Sequence, residues 1–136
     1  MITEDYVSFE TAKLLKEKGF DEVCENAYNE GGVFVSTLLI GHDCDKSFIV
    51  NNQTIFPYKA PTHQMAMAWL REKHNIHISV TIGSDVDNPN YIFYWAGIAK
   101  FTKSSLDYID PFGEQEFSTN EEAVETALKY SLENLI

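Results

Sequence analysis

Apolar residues recur at helical spacing in the first twenty positions of the chain. Before them stands Ser8, whose hydroxyl can accept an amide hydrogen bond at the start of a helix. The apolar positions that follow on one side are Phe9, Ala12 and Leu15. Gly19 is placed to end the helix, because glycine adopts the left-handed conformation common after a last helical turn. The pattern predicts a helix over about 8–18.

A second helical pattern lies near the middle of the chain. It begins at Thr62, directly after Pro61, and ends near His74, where Asn75 can serve as a left-handed cap. One side of this segment carries the apolar residues Met65, Ala66, Trp69 and Leu70. The pattern predicts a helix over about 62–74 with Trp69 in the core.

The third helical pattern is at the C-terminal end and has two overlapping capping boxes. Ser118 is followed at the required distance by Glu121, and Thr119 is followed by Glu122. Phe117 stands where a hydrophobic staple would lie. The apolar side then carries Val124, Ala127, Leu128, Ser131 and Leu135. A helix over about 119–135 is predicted to pack on a sheet.

A strand pattern of period two follows the second helix. Ile76, Ile78, Val80 and Ile82 alternate with polar residues, as in a sheet with one buried and one solvated face. Turn residues occupy 83–90, and 91–99 is again rich in β-forming residues. We predict an antiparallel hairpin over about 76–99.

The rest of the chain has weaker patterns. Further strands are predicted within 32–56, where Asn51 and Asn52 can form the turn of a hairpin. Pro57 and Pro61 are expected to end any strand before the next helix. The segment 102–117 is predicted to be irregular, with Leu106, Tyr108 and Ile109 anchoring it. Together these elements predict a single α+β domain over 1–136, an antiparallel sheet packed with three helices.

Charge narrows the classes of function. The 136 residues include ten Lys and Arg against twenty-one Asp and Glu, which gives a formal net charge of −11. Nucleic-acid backbones are bound by clustered basic residues, so direct binding of DNA or RNA is not expected. The opening Met-Ile-Thr-Glu-Asp-Tyr is acidic where a secretory signal is basic, and no stretch is long enough to span a membrane. A cytoplasmic location is predicted.

Few residues suggest chemistry. His42 and Cys44 stand in an acidic loop, with Cys24 twenty positions earlier. They could form a metal site or a cysteine–histidine nucleophile, but the paired Cys-x-x-Cys spacing of structural zinc sites is absent, which favours an acidic surface turn. No phosphate-binding loop, nucleophile elbow or dinucleotide motif occurs, and no catalytic residue, metal or cofactor is predicted.

Three stretches of the sequence carry a resemblance to a known family. They are Val7-Ser8-Phe9 through Lys18-Gly19-Phe20, Ala60-Pro61-Thr62 through Trp69-Leu70-Arg71-Glu72-Lys73-His74-Asn75-Ile76, and Glu121-Glu122-Ala123 through Ala127-Leu128. In order and spacing they resemble a family of small uncharacterised proteins of gut bacteria, their phages and mobile elements. The resemblance implies a bacterial or phage origin and no particular activity.

The strand 91–98 is apolar on both faces, unlike its partner in the hairpin. Its aliphatic face is expected to meet the helices, and Tyr91, Phe93 and Trp95 on the other face are expected to be covered by 102–117 or by a second protein. The leading hypothesis is a non-enzymatic phage or mobile-element accessory protein that acts by protein binding or self-association. The alternatives are a small enzyme or metal-binding protein using His42 and Cys44, and an acidic mimic of nucleic acid.

Overall fold

The computed structural model describes residues 3–36, 49–50, 53–54 and 56–136. Within these ranges the helices are α1 (Phe9–Glu17), α2 (His63–His74) and α3 (Asn120–Asn134). The strands are β1 (Asn26–Tyr28), β2 (Phe34–Ser36), β3 (Ile49–Val50), β4 (Gln53–Thr54), β5 (Tyr58–Lys59), β6 (Ile76–Ser84), β7 (Ile92–Phe101) and β8 (Leu106–Ile109). All strand pairs are antiparallel, and helices accompany the sheets, which confirms the predicted α+β class.

The described chain forms two compact units, Met1–Met65 and Ala66–Ile136. In the first unit, β1 is the central strand of a sheet with the order β2-β1-β5, and α1 contacts β5. A separate pair of strands, β3 and β4, confirms the hairpin predicted around Asn51 and Asn52, although these two residues lie outside the described ranges. The expectation of a single domain stays a prediction.

Helix α1 has the ends that its sequence predicts. The hydroxyl of Ser8 accepts a hydrogen bond from the amide of Thr11 at 3.2 Å. Gly19 has a φ of +90°, in the left-handed region. The amides of Gly19 and Phe20 donate to carbonyls of the last turn at 3.1 and 2.9 Å, which is the Schellman arrangement. The two caps satisfy backbone groups that the helix itself leaves unpaired.

Aromatic rings pack together in the first unit. Neighbouring ring centroids lie 5.2–5.6 Å apart among Tyr6, Phe9, Tyr28, Phe34 and Tyr58. Two lysines of α1 cover rings of this cluster: Nζ of Lys13 lies 4.5 Å from the centroid of Phe9, and Nζ of Lys16 lies 5.1 Å from that of Tyr58. The cations are thus held over ring faces, an attractive arrangement.

Two short strands within 21–60 were not predicted from the sequence. The sequence pattern did not predict β1, a strand of three residues that is too short to show a period. Tyr58–Lys59 forms β5 between Pro57 and Pro61, a strand that the sequence pattern also did not predict. Because β5 is an edge strand of two residues, its flanking prolines interrupt no pairing, and proline is tolerated at such edges.

The second unit is built on a sheet with the order β6-β7-β8. The register pairs Ile78 with Ile98 and Val80 with Ala96, which confirms the predicted hairpin. Helix α3 packs on β6 and β7. Its buried residues are Ala123, Val124, Ala127, Leu128, Ser131 and Leu132. The even-numbered side of the hairpin faces this helix, because Ile76, Ile78 and Ile98 are buried while His77, Ser79 and Thr81 are exposed.

Helix α2 is confirmed, with one correction to its buried face. Met65 donates its amide to Oγ1 of Thr62 at 3.2 Å, and Asn75 has a φ of +56°, so both predicted ends are present. Trp69 is 6% exposed, as expected of a core residue, but Met65 is 37% exposed. Met65 was wrongly placed with the core, since it lies in the first turn, at the margin of the buried stripe.

The segment after β7 is more regular than its sequence suggests. Residues 106–109 form β8, which pairs with the end of β7. Leu106 and Tyr108 are 53% and 81% exposed, so the expectation that they anchor this segment is wrong. The cap of α3 is Thr119, whose hydroxyl accepts from the amide of Glu122 at 3.1 Å. Phe117 forms a backbone bridge with Tyr94 and is buried.

Candidate binding surface

The β6–β7 hairpin becomes exposed toward its turn. Along β6, Ile76 and Ile78 are buried, Val80 is half-buried and Ile82 is 61% exposed. The alternation in the sequence predicted the same burial for all four residues, and Ile82 corrects it. Across the strands, Ile92 is 45% exposed and lies on the same side as Ile82. The end of the hairpin therefore presents aliphatic side chains to solvent on this side.

Three aromatic residues at alternate positions, one directly before β7 and two within it, lie on the opposite side of the hairpin. Tyr91, Phe93 and Trp95 form what we call the aromatic ladder. The ring centroids of Tyr91 and Phe93 are 5.7 Å apart, and those of Phe93 and Trp95 are 4.7 Å apart. Tyr91 is 49% exposed and Trp95 40% exposed, while Phe93 between them is only 5% exposed. The ladder is thus a buried ring with an exposed ring on each side.

Gly83 on β6 makes room for the ladder. It lies opposite Phe93 in the register. A Cβ atom at Gly83 would lie 2.8 Å from Cε2 of Phe93 and 3.1 Å from Cζ3 of Trp95, closer than side chains normally approach. The two rings therefore occupy the space above the glycine backbone. The absence of a side chain at this position lets edges of both rings approach the backbone of β6.

The segment 102–117 extends the sheet instead of covering the ladder. Its strand β8 pairs with the edge of β7, and Phe117 bridges to Tyr94 on the backbone. One side chain reaches the ladder, because the Tyr91 hydroxyl donates to Oε2 of Glu116 at 3.2 Å. The expectation that 102–117 covers this face is wrong for Tyr91 and Trp95, which stay exposed as given above. Strand pairing uses the backbone of the segment and keeps it in the plane of the sheet.

The surroundings of Tyr91 are acidic. Glu116 raises the pKa of the Tyr91 phenol above its usual value, first through the hydrogen bond and then through its charge; partial burial and the charge of Asp85 act in the same direction. The amide of Asp85 donates to the carbonyl of Tyr91 at 3.2 Å, which holds Asp85 beside the ladder. No Lys or Arg occurs in residues 78–99. The two charges that act on the Tyr91 phenol, those of Glu116 and Asp85, are therefore both negative.

The other candidate residues are not brought together by the described part of the chain. His42 and Cys44 lie outside the described ranges, so their proposed pairing stays a prediction. Cys24 is buried, with its Sγ 3.9 Å from Sδ of Met65 and 3.6 Å from the carbonyl of Glu22. Within those ranges, no three His, Cys, Asp or Glu side chains are grouped as metal ligands.

The structure adds Asp85, Glu116 and Gly83 to the residues that the sequence singled out. Gly83 could have been found by counting the register back from the turn. Glu116 had no such signal, because its approach to Tyr91 depends on the path of the chain through β8. Among the helices of the described residues, none is long and apolar enough to cross a membrane. Comparisons with protein-family models, with curated proteins and with solved structures found no match.

Proposed function

We propose that this chain is a non-enzymatic accessory protein of a phage or mobile element, acting in the bacterial cytoplasm by binding another protein. The proposed contact is the aromatic ladder of Tyr91, Phe93 and Trp95. The observation that carries the proposal is the exposure of Tyr91 and Trp95 on both sides of the buried Phe93. Large aromatic side chains that are fixed in place and still accessible are the usual anchors of protein interfaces.

The ladder also has the rigidity that an anchor needs. Phe93 is held between two rings and over Gly83, so Tyr91 and Trp95 have a fixed neighbour on their inner sides. Side chains that are already ordered lose less conformational entropy on binding than free ones.

Site-specific photo-crosslinking in bacterial cells tests this proposal. A photoreactive amino acid is placed at Thr81, an exposed residue of β6 that pairs with Trp95 of β7. This substitution removes none of the three rings of the ladder. The control carries it at Glu17, an exposed residue of α1 in the other unit. We expect one defined adduct from Thr81 that Glu17 does not give.

The captured protein is then purified and its affinity measured directly. Trp95→Ala and Tyr91→Ala are each expected to weaken binding by about tenfold or more, as truncation of an aromatic anchor does. Circular dichroism of each variant checks that the fold is kept. Absence of an adduct specific to Thr81, or equal affinity of the folded variants and the wild type, contradicts the proposal.

A further inference from the structure

Two carboxylates lie beside Tyr91, one of the two exposed rings of the ladder. Glu116 accepts the hydrogen bond of the Tyr91 hydroxyl, at 3.2 Å. Asp85 is fixed next to Tyr91 by its own backbone amide, and its charge acts on the same phenol. The two acids come from different parts of the chain, the hairpin turn and the segment after β8. The ladder thus has a ring surface and negative charge side by side.

In the first unit, lysine side chains lie over aromatic rings. There, Lys13 and Lys16 place their ammonium groups 4.5 and 5.1 Å from the centroids of Phe9 and Tyr58. At the ladder, residues 78–99 contain neither Lys nor Arg, and the one lysine of β7, Lys100, donates to the carbonyl of Leu135. The rings there have the same attraction for a cation, and two nearby carboxylates strengthen it.

We propose that the aromatic ladder, with Asp85 and Glu116, binds an arginine side chain from a basic segment of the partner. This inference rests on the proposed function and specifies its partner. A guanidinium group can stack on the exposed face of Tyr91 while its N–H groups donate to Glu116 or Asp85, and a second arginine of the same segment can stack on Trp95. Ring and carboxylate together suit this planar cation better than the compact ammonium of lysine.

Charge argues against a second copy of the chain as the occupant. Each copy carries a formal net charge of −11, and a symmetric contact through the ladder would bring Asp85 and Glu116 of both copies together. Like charges placed opposite each other at an interface cost free energy and slow association. A basic segment has the opposite effect, since the same carboxylates attract it.

The probe is a short oligo-arginine peptide, added to the full-length protein at low salt. The indole N–H signals of the two tryptophans report where it binds, and Trp69, which is 6% exposed, serves as the internal reference for Trp95 at 40%. We expect a saturable shift of the Trp95 signal and little change at Trp69. An oligo-lysine peptide of equal length is expected to bind about three- to tenfold more weakly, because it lacks the stacking plane.

Charge-matched variants separate a site from general acidity. Asp85→Asn with Glu116→Gln removes two negative charges at the ladder, and Asp21→Asn with Glu17→Gln removes two from exposed positions in the first unit. By calorimetry, the ladder pair is expected to weaken oligo-arginine binding by about tenfold, and the control pair by much less. Trp95→Leu, which keeps the charge and an apolar side chain, is also expected to weaken it.

Several results would overturn this inference. They are a Trp95 signal that does not respond, equal affinities for the two charge-matched pairs, or a wild-type protein that light scattering shows to be a dimer and that becomes a monomer in Trp95→Leu. Failure of the arginine inference can be distinguished from failure of the proposed function. If crosslinking from Thr81 identifies a partner that contacts the ladder without a basic segment, the proposed function stands and only the arginine is wrong.

Discussion

His74 combines an apolar neighbour with a positive one at the end of α2. Its ring centroid lies 4.7 Å from that of Trp69, in an edge-to-face arrangement. Burial lowers the pKa of His74 below its usual value, and the charge of Lys100 lowers it further. Both effects disfavour the protonated imidazole. Lys100 itself donates to the carbonyl of Leu135 at 3.3 Å, which keeps its ammonium in this region of the second unit.

This environment predicts a pH dependence of stability. The pKa of His74 in the folded protein is below its unfolded value of about 6.5, so the unfolded chain binds the proton more readily. The contribution to the free energy of unfolding is therefore full above about pH 6.5 and is lost as the pH falls toward the folded pKa. Chemical denaturation at a series of pH values is expected to show this loss in the wild type and a smaller one in His74→Gln.

The role of Lys100 can be tested by the NMR titration of His74. Lys100→Gln is expected to raise the pKa of His74 only part of the way to its usual value, because burial, the larger cause, remains. Lys103→Gln removes the same charge from an exposed loop residue and serves as the control. A His74 pKa that is not lowered in the wild type, or that responds equally to both variants, would contradict this interpretation.

At the scale of elements, the sequence predicted those features that depend on residues close to one another in the chain. Gly19 and Asn75 were expected to be left-handed because few other residues tolerate that conformation, and both are. The period-two pattern of β6 and β7 predicted the hairpin. Ile82 was misplaced because the alternation shows which side a residue takes, but not how far the covering helix extends. The short strands β1 and β5 and the edge strand β8 are set by their partners, which a local pattern does not contain.

The candidate surface was predictable to the same extent. Alternation in β7 placed Tyr91, Phe93 and Trp95 on one face, and their ring contacts confirm that they are neighbours. Alternation alone did not indicate which of them is buried, because the burial of Phe93 depends on Gly83 in the opposite strand. The position of Glu116 depends on the return of the chain to the edge of β7, and no pattern near Glu116 indicates it.

Gly83 is therefore the best single position for testing the geometry of the ladder. Gly83→Ala puts a methyl group where Phe93 and Trp95 now lie, and at least one ring has to move. We expect a loss of about 1–3 kcal/mol in the free energy of unfolding, typical of overpacking, with a clear change of the Trp95 indole signal. Thermal or chemical denaturation and NMR measure the two effects.

Gly97→Ala provides the matched control for Gly83→Ala. A Cβ at Gly97 would lie 2.9 Å from Oγ of Ser79, but the hydroxymethyl group of an exposed serine can rotate away. The loss of stability is expected to be smaller, and the Trp95 signal is expected to change little. If Gly83→Ala leaves both stability and the Trp95 signal unchanged, the rings do not pack on the glycine as described.

At the scale of the whole molecule, charge is the dominant feature. Acidic residues outnumber basic ones by twenty-one to ten, and residues 107–136 alone hold eight acids and one base. Two of these acids stabilise α3, since Glu121 and Glu122 lie in its first turn, near the positive end of the helix dipole. Its last turn has no basic residue, and Glu133 is placed there, near the negative end. The excess of negative charge therefore causes repulsion within the folded protein, which lowers its stability.

Salt is expected to stabilise the protein for this reason. Repulsion among like charges destabilises a compact chain, and raising the ionic strength from about 0.01 M to 0.15 M shortens the screening length from roughly 30 Å to 8 Å. The midpoint of thermal unfolding should rise over this range.

Glu133→Gln tests the same repulsion at a single position. At low salt it is expected to add about 0.3–1 kcal/mol to the free energy of unfolding, because it lowers the net negative charge and removes a negative charge from the C-terminal end of α3. Lys103→Gln makes the net charge more negative and is expected to lower stability, and the difference between the two variants should shrink as salt is added. A midpoint that falls with salt, or variants that shift stability in the same direction, would show that self-repulsion does not limit the stability of this protein.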